Sequence, residues 1–186
     1  MKRAILVHGW EGDPKNHWFP WLIDELEKKG FRIYAPRMPD PENPLVDIWV
    51  DYLKGEVEFL DKDTYFIGHS IGCQTIMRML EKMDGEVGGV VFVAPFFNLP
   101  NLETKEEKEI AETWLTRPID FDKIKEKTSK IVCLFSDNDP DVPLSDSELF
   151  KERLGAEIVV EKGKGHFCKE DGVTELPIVL DKIYIS

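Results

Sequence analysis

The sequence predicts a doubly wound α/β domain, in which helices cover both faces of a mainly parallel, six-stranded sheet. Short apolar runs alternate with amphipathic segments six times along the chain, a pattern typical of repeated strand–helix units. Most of the apolar runs are continuous in Val, Ile, Leu and Phe, as expected of strands that are buried on both faces. The length of 186 residues predicts that residues 1–186 form a single domain.

The first half of the chain provides three of these strand–helix units. In the first helix, Trp and Leu residues recur at helical spacing until Gly30 provides a stop. In the second helix, six apolar residues are predicted to share one face, namely Leu45, Ile48, Trp49, Tyr52, Leu53 and Val57. In chain order, the predicted elements are strand Arg3–Val7, helix Trp18–Lys29, strand Phe31–Ala35, helix Leu45–Leu60, strand Thr64–Gly68 and helix Ile71–Met83.

The second half of the chain repeats the same alternation with less regular helices. Thr104-x-x-Glu107 and Ser145-x-x-Glu148 have the pattern of capping boxes, which predicts that a helix begins at each of them. In chain order, the predicted elements are strand Gly89–Ala94, helix 105–116, strand Ile131–Ser136, helix 146–154, strand Glu157–Glu161 and helix Leu176–Tyr184.

Composition excludes several classes of partner. A formal net charge of −12 would be repelled by the phosphates of nucleic acid and by an anionic membrane surface. No apolar run approaches the ~18 residues of a membrane span, and Ala4–Val7 is too short for the core of a signal peptide. Cys73, Cys133 and Cys168 are odd in number and not closely paired, which predicts reduced thiols and a cytoplasmic location.

The segment Gly68-His69-Ser70-Ile71-Gly72 lies between a predicted strand and a predicted helix. Glycines on both sides of a serine permit a tight strand-to-helix turn that exposes the serine hydroxyl and aims backbone N–H groups at it. The alternative is that Ser70 only caps the helix. If it is a nucleophile, the remaining parts of a hydrolytic site must follow other strands, because ligands bind at the carboxyl ends of strands in such sheets.

A serine nucleophile needs a base, and His166 follows the last predicted strand. His8 also ends a strand and is the second choice. His69 is adjacent to the serine, but side chains of neighbouring residues in a tight turn point apart. His17 precedes a helix and is expected on the surface or at the helix cap.

A histidine base needs a carboxylate to orient it, and the loop after Ile131–Ser136 offers Asp137, Asp139 and Asp141. The pattern does not choose among them. The order serine, aspartate, histidine is that of α/β-hydrolases. A metal site made of His8 and these aspartates has no recognisable ligand spacing, so neither a metal nor an organic cofactor is predicted.

An oxyanion hole would complete the site. One donor would be the backbone N–H of Ile71, the residue after the nucleophile. The second would come from the loop that follows the first strand, His8-Gly9-Trp10-Glu11-Gly12.

Four segments resemble the small serine hydrolases related to retinoblastoma-binding protein 9, and the resemblance covers essentially the whole chain. They are VHGWEGDPKNHWFPWL, GHSIGCQTIMRML, SDNDPDVP and KGHFCKEDGVTELPIVLDKI. The His-Trp-Phe-Pro-Trp run and the long Gly-His-Phe ending are more specific than the pattern around the serine. The resemblance implies a compact α/β-hydrolase fold with a minimal lid.

The resemblance also implies roles for individual residues. Ser70 would be the nucleophile and His166 the base, and the Asp-x-x-Val-Pro pattern points to Asp139 as the acid. The N–H groups of Trp10 and Ile71 would form the oxyanion hole. This chain has Ile71 where leucine is frequent, and acidic residues flank Asp139, which keeps Asp137 and Asp141 as alternatives.

The segment Phe96–Lys127 lies where larger α/β-hydrolases insert a lid, and here it is long enough only for a short helical cover. Phe96, Phe97 and Trp114 are candidates for the wall of a substrate pocket, and Leu99 is another. Their alternative is ordinary packing in the core.

Together these features predict a serine hydrolase that forms an acyl-enzyme. Because the cover is small and aromatic, the expected activity is that of a carboxylesterase on small, apolar acyl esters. An amidase or aminopeptidase-like hydrolase would use the same residues on a small-molecule amide. A non-catalytic binding protein on the same fold is the alternative outside enzymes.

Overall fold

The computed structural model describes residues 1–184, which form one six-stranded sheet covered by helices. All strand pairs are parallel, and their order across the sheet is β2-β1-β3-β4-β5-β6. The strands are β1 (Arg3–Val7), β2 (Arg32–Tyr34), β3 (Thr64–His69), β4 (Gly89–Val93), β5 (Ile131–Ser136) and β6 (Glu157–Glu161). All six predicted strands are therefore confirmed, with small differences at their ends.

Within residues 1–184, seven α-helices connect and cover the strands. They are α1 (Phe19–Lys28), α2 (Val46–Glu56), α3 (Ile71–Leu80), α4 (Lys105–Thr116), α5 (Phe121–Lys127), α6 (Asp146–Leu154) and α7 (Pro177–Tyr184). α1 packs against α7, whereas α2, α3, α5 and α6 pack in a row. The doubly wound fold predicted from the alternation of strands and helices is confirmed.

The central position of β3 explains its composition. Every residue of β3 is buried, as is every residue of the helix α3 that follows it. The edge strands β2 and β6 instead have exposed or half-buried residues. A strand with neighbours on both sides and helices on both faces is mostly apolar, which is why the middle of β3, Tyr65–Ile67, reads as a continuous hydrophobic run.

Helix α2 differs from its prediction in length and in orientation. It ends at Glu56 rather than at residue 60, because Val57 turns into an extended conformation with φ −100° and ψ 91°. Leu45 and Ile48 are about half exposed, so the prediction that they share the buried face is wrong. Trp49 and Leu53 carry the packing instead and are fully buried.

One of the two predicted capping boxes is present. Thr104 Oγ1 accepts the N–H of Glu107 at 3.1 Å, and the Glu107 carboxylate accepts the N–H of Thr104 at 2.8 Å. Ser145 makes no capping bond, because its backbone is already helical at φ −60° and ψ −22°. The backbone carbonyl of Pro143, two residues before Ser145, instead accepts the N–H of Asp146 at the start of the helix, at 3.0 Å.

The cover formed by residues 96–127 contains α4 and α5, and polar contacts hold it at both ends. Gln74 on α3 donates to the carbonyl of Phe96 at 2.7 Å, and the buried Asp146 accepts the N–H groups of Phe97 and Asn98 at 2.6 and 2.9 Å. Arg78 on α3 donates to carbonyls at the end of α4, those of Trp114, Arg117 and Pro118. Short α5 was not predicted.

The sheet topology brings particular loops together. Strand β2 lies on one side of β1, and β3 lies on the other side. The loops that follow the neighbouring strands β1 and β3 therefore lead away from each other. This switch point is where doubly wound sheets bind ligands. Among residues 1–184, no helix combines the length and the apolar composition needed to cross a membrane.

Candidate active site

Ser70 occupies a strained turn between β3 and α3. Its φ of 52° and ψ of −120° lie in a region that non-glycine residues rarely adopt, at a cost of about 1–3 kcal/mol. Its backbone N–H donates to Val93 O at 2.9 Å, and its carbonyl accepts the N–H of Cys73 at 2.9 Å. The side chain makes no capping bond, so the alternative that Ser70 is an ordinary helix cap is wrong.

The two glycines of the turn are required by close packing. A Cβ on Gly72 would lie 2.2 Å from the carbonyl oxygen of Val7 on β1, and a Cβ on Gly68 would lie 2.9 Å from the backbone of Cys73. The first turn of α3 therefore contacts β1 directly. This contact brings the loop after β1 next to the serine, where a Cβ on Gly9 would lie 3.3 Å from the Cβ of Ser70.

His166 and Asp139 form a hydrogen-bonded pair at the ends of β6 and β5. His166 Nδ1 lies 2.9 Å from Asp139 Oδ2 and 3.0 Å from Oδ1. The Asp139 side chain is only 2% exposed, and its Oδ1 also accepts the N–H groups of Asp141 and Val142 at 2.9 and 3.0 Å. The tight turn that the prolines favour thus orients the carboxylate toward the imidazole.

The other two aspartates of the loop lie farther from the imidazole. Asp137 Oδ1 accepts the N–H of Gly163 at 2.8 Å, and no ion pair joins it to His166 within residues 1–184. Asp141 Oδ2 is 3.8 Å from His166 Nδ1, and its side chain is 57% exposed. By distance, Asp139 is the hydrogen-bonded partner of His166.

The charge environment of His166 favours its cation. Burial by itself lowers the pKa of His166, but the hydrogen bond to Asp139 and the carboxylates of Asp139, Asp141 and Asp171 outweigh burial, so the pKa is raised above its usual value. Nδ1 carries the proton shared with Asp139, so the lone pair of the neutral ring is on Nε2, which has no hydrogen-bond partner within residues 1–184.

His8 is not available as a base, because both of its ring nitrogens are occupied. Nδ1 donates to Gly9 O at 2.8 Å, and Nε2 accepts the N–H of Met38 at 2.8 Å. Burial lowers the pKa of His8. The side chain therefore holds the loop after β1 in place.

His69 and His17 both support the loop that carries His166. His69 Nε2 donates to the carbonyl of His166 at 2.8 Å, and burial holds the pKa of His69 well below its usual value. His17 Nδ1 accepts the N–H of Lys169 at 2.9 Å. The expectation that His17 is a surface or capping residue is wrong, since it lines the cavity described next.

A cavity of about 260 Å³ lies above Ser70. Ser70, His166, Trp10 and Ile71 all line it, so the structure brings together four of the predicted site residues. The backbone N–H groups of Trp10 and Ile71 donate no hydrogen bond to any residue from 1 to 184. They are therefore free to bind an oxygen atom of a ligand.

Of the four candidates for the pocket wall, Phe96 and Leu99 line this cavity, whereas Phe97 and Trp114 do not. Phe97 stacks on Phe150 with ring centroids 4.1 Å apart, and Trp114 is buried with its indole N–H donating to Pro44 O at 2.8 Å. The prediction is thus wrong for Phe97 and Trp114, which belong to the packing beneath the cover. Consecutive residues on a loop point in different directions, so Phe96 and Phe97 could not be told apart in sequence.

Several wall residues were not predicted. Leu99 had been a candidate, whereas the cavity also includes Glu11, Asn101, Leu102, Glu107, Asp141 and Cys168. Most of them come from the cover and from loops whose approach depends on long-range packing. Burial and nearby carboxylates raise the pKa of the Cys168 thiol to about 12, so Cys168 is not a reactive thiolate.

The metal site conceived from sequence does not assemble, because His8 and Asp137 are engaged elsewhere. His17, Cys168 and Glu170 have ligand-type atoms within 4.8 Å of one another. However, the Nδ1 lone pair of His17 already accepts the N–H of Lys169. A metal at that atom would have to break this bond.

Comparisons with known proteins identify the family of this chain. A family model described as serine hydrolase matches residues 4–184. YdeN from Bacillus subtilis is 32% identical over 97% of this chain and 93% of its own length. Serine hydrolase RBBP9 from Rattus norvegicus is 30% identical over 89% of this chain and 87% of its own.

Solved structures extend the comparison to the fold. The crystal structure of the ydeN gene product has a TM-score of 0.91, with 30% identity and full coverage of both chains. Est1E from Butyrivibrio proteoclasticus, solved with ferulic acid, has a TM-score of 0.69 at 17% identity, covering 98% of this chain and 90% of its own. That likeness concerns the α/β-hydrolase fold alone. The chain belongs to the serine hydrolase family and is related to RBBP9.

Proposed function

We propose that this hydrolase cleaves small carboxylic esters through an acyl-enzyme on Ser70. The observation that carries the proposal is a serine on a strained turn that shares a cavity with a histidine, whose Nδ1 is hydrogen-bonded to a buried aspartate. The triad would be Ser70, His166 and Asp139.

In the first step, His166 Nε2 takes the proton of Ser70 as Oγ attacks the ester carbonyl carbon. Ser70 Oγ has no hydrogen-bond partner among residues 1–184, and such contacts in unliganded enzymes commonly shorten when substrate binds. The N–H groups of Trp10 and Ile71 would bind the oxyanion. His166 then donates the proton to the leaving alcohol.

Asp139 would keep the proton of neutral His166 on Nδ1 and stabilise the imidazolium. Its own position is held by the N–H groups of Asp141 and Val142. In the second step, His166 activates a water molecule, and hydrolysis of the acyl-enzyme releases the acid and restores Ser70.

The size and lining of the cavity support a small, apolar acyl group. Phe96, Leu99 and Leu102 form apolar wall, and the volume is about 260 Å³. Cavities for drug-sized ligands are commonly about 300–1,000 Å³, so a long acyl chain would extend outside. We propose a small-molecule partner, and we retain from the sequence the proposals of a single domain and a cytoplasmic location.

A fluorophosphonate probe tests the nucleophile. The wild-type protein should gain one covalent label by mass spectrometry, and Ser70→Ala should gain none. Ser145→Ala is the control, because Ser145 is exposed and its side chain caps nothing. An unlabelled but folded wild type would overturn the proposal and leave the non-catalytic binding protein as the alternative.

An amidase or aminopeptidase-like activity is the second candidate, because carboxylates also line the cavity. Glu11 and Glu107 could pair with a substrate ammonium group. Matched ester and anilide substrates, with and without an α-amino group, distinguish the two. Higher kcat/KM for aminoacyl anilides than for simple esters would favour the second candidate.

A further inference from the structure

We propose that Asp141 is a second carboxylate partner of His166 and stabilises the imidazolium that forms during acyl transfer. The inference rests on the proposed function, since it concerns the same base. Asp141 acts through His166 and not on the substrate, so it is a positioning residue.

Two carboxylates converge on one ring nitrogen. Asp139 is hydrogen-bonded to His166 Nδ1 at 2.9 Å, and Asp141 Oδ2 lies 3.8 Å from the same atom. The N–H of Asp141 donates to Asp139 Oδ1 at 2.9 Å, so the backbone of this turn holds both side chains on the same side of the ring.

The cationic surroundings of the Asp141 carboxylate are limited to His166 within the described part of the chain. Among residues 1–184, His166 is the only cationic group within 4.0 Å of the Asp141 carboxylate. Burial raises the pKa of Asp141, and the neighbouring carboxylates of Asp139, Asp171 and Glu107 raise it further, whereas His166 opposes them. The two aspartates therefore repel each other while His166 is neutral.

A positive charge on His166 offsets that repulsion, since it attracts both carboxylates. A contact that is more favourable in the transition state than in the resting enzyme increases the rate. Asp141 would thus contribute to catalysis even though 3.8 Å is too long for a hydrogen bond.

The other titratable groups around His166 do not provide this charge. Asp171 accepts the backbone N–H groups of His166 and Cys168 at 2.9 and 3.0 Å. His69, with its ring centroid 5.1 Å away, and His17 both have pKa values lowered first by burial. The Cys168 thiol has its pKa raised to about 12.

The test removes the Asp141 charge and reads the titration of His166 directly. The imidazole of His166 is followed by NMR in a Ser70→Ala background, and its signals are assigned by their loss in His166→Gln. We expect Asp141→Asn to move this titration to lower pH, and Asp141→Glu to restore it in part. Because no turnover is needed, this measurement remains valid if the proposed hydrolysis fails.

The same variants, in the background with Ser70 intact, are then assayed for kcat/KM against pH. Asp141→Asn should lower the plateau about fivefold, the effect of one unit charge about 4 Å away in water-like surroundings, and should move the acid limb to lower pH. A merely structural defect would scale the whole profile without moving the limb.

Asp137→Asn is the matched control. It removes the same charge from the same loop, and an amide oxygen can still accept the N–H of Gly163. In Asp137→Asn, the titration of His166 and the dependence of kcat/KM on pH should match those of the wild type. If Asp141→Asn leaves the titration of His166 unchanged, or if Asp137→Asn shifts it equally, the inference is wrong.

Discussion

Replacing Gly72 by alanine should destabilise the protein and displace the nucleophile. The new Cβ would lie 2.2 Å from Val7 O and 2.7 Å from His8 O. The first distance is 0.8 Å shorter than 3.0 Å, the shortest contact that real Cβ atoms commonly make. Neither oxygen belongs to a flexible side chain, and Val7 is paired with Gly68 in the centre of the sheet. The strain must therefore be taken up by α3 and by the turn at Ser70.

Overpacking a well-packed core costs about 1–3 kcal/mol of folding free energy and occasionally more. For a backbone clash this short, we expect a cost at or above the upper end of that range. For a chain of this length, ~3 kcal/mol corresponds to a fall in Tm of about 6–12 °C. The assay is urea unfolding followed by circular dichroism, with calorimetry for Tm. Loss of fluorophosphonate labelling in the folded fraction would report the displaced serine.

The control is Gly55→Ala, since Gly55 lies in α2 and an added Cβ meets nothing within 4 Å. Alanine there should stabilise the protein by about 0.5–1 kcal/mol. If Gly72→Ala lost less than about 1 kcal/mol and kept full labelling, the claim that α3 must contact β1 without a side chain would be refuted.

Two further predictions concern the proposed triad. Asp139→Asn should lower kcat by about 10⁴-fold, the loss seen when an amide replaces a triad carboxylate, whereas the kcat of Asp137→Asn should remain near that of the wild type. If Asp139→Asn kept near-full activity while Asp141→Asn lost it, the acid would have to be reassigned to Asp141. The pKa of His166 is raised, so the base becomes protonated already above the usual histidine range as pH falls. The acid limb of kcat/KM, measured with a neutral ester, should therefore lie above pH ~6.5, and a limb below that value would contradict the carboxylate environment described.

Local sequence was sufficient for the sheet and for the turn at the serine. Most of the strands are continuous apolar runs, because a parallel sheet covered on both faces leaves few polar positions in its centre. Gly68 and Gly72 were readable because only glycine tolerates the approach of other backbone atoms there. The turn depends on residues that are close in sequence, and the strands all share the same environment, that of a sheet buried on both faces.

Helix faces and caps were less predictable. Leu45 and Ile48 fit the apolar period of α2 but lie half exposed at its N-terminal end. Ser145 fits a capping box, yet the preceding turn already supplies the helix with a carbonyl acceptor from Pro143. In both places the chain outside the helix decided the outcome.

The sequence by itself determined the order of the strands along the chain, the glycine-flanked turn at Ser70 and the three aspartates from which an acid could come. The family resemblance pointed to Asp139, but only the tertiary structure gave the distances of Asp139 and Asp141 from His166, 2.9 and 3.8 Å, and separated Phe96 from Phe97. The physical reason is that strand and turn formation follow from local sterics and burial. Distances between side chains on β5 and β6 loops depend on how the whole sheet twists and packs.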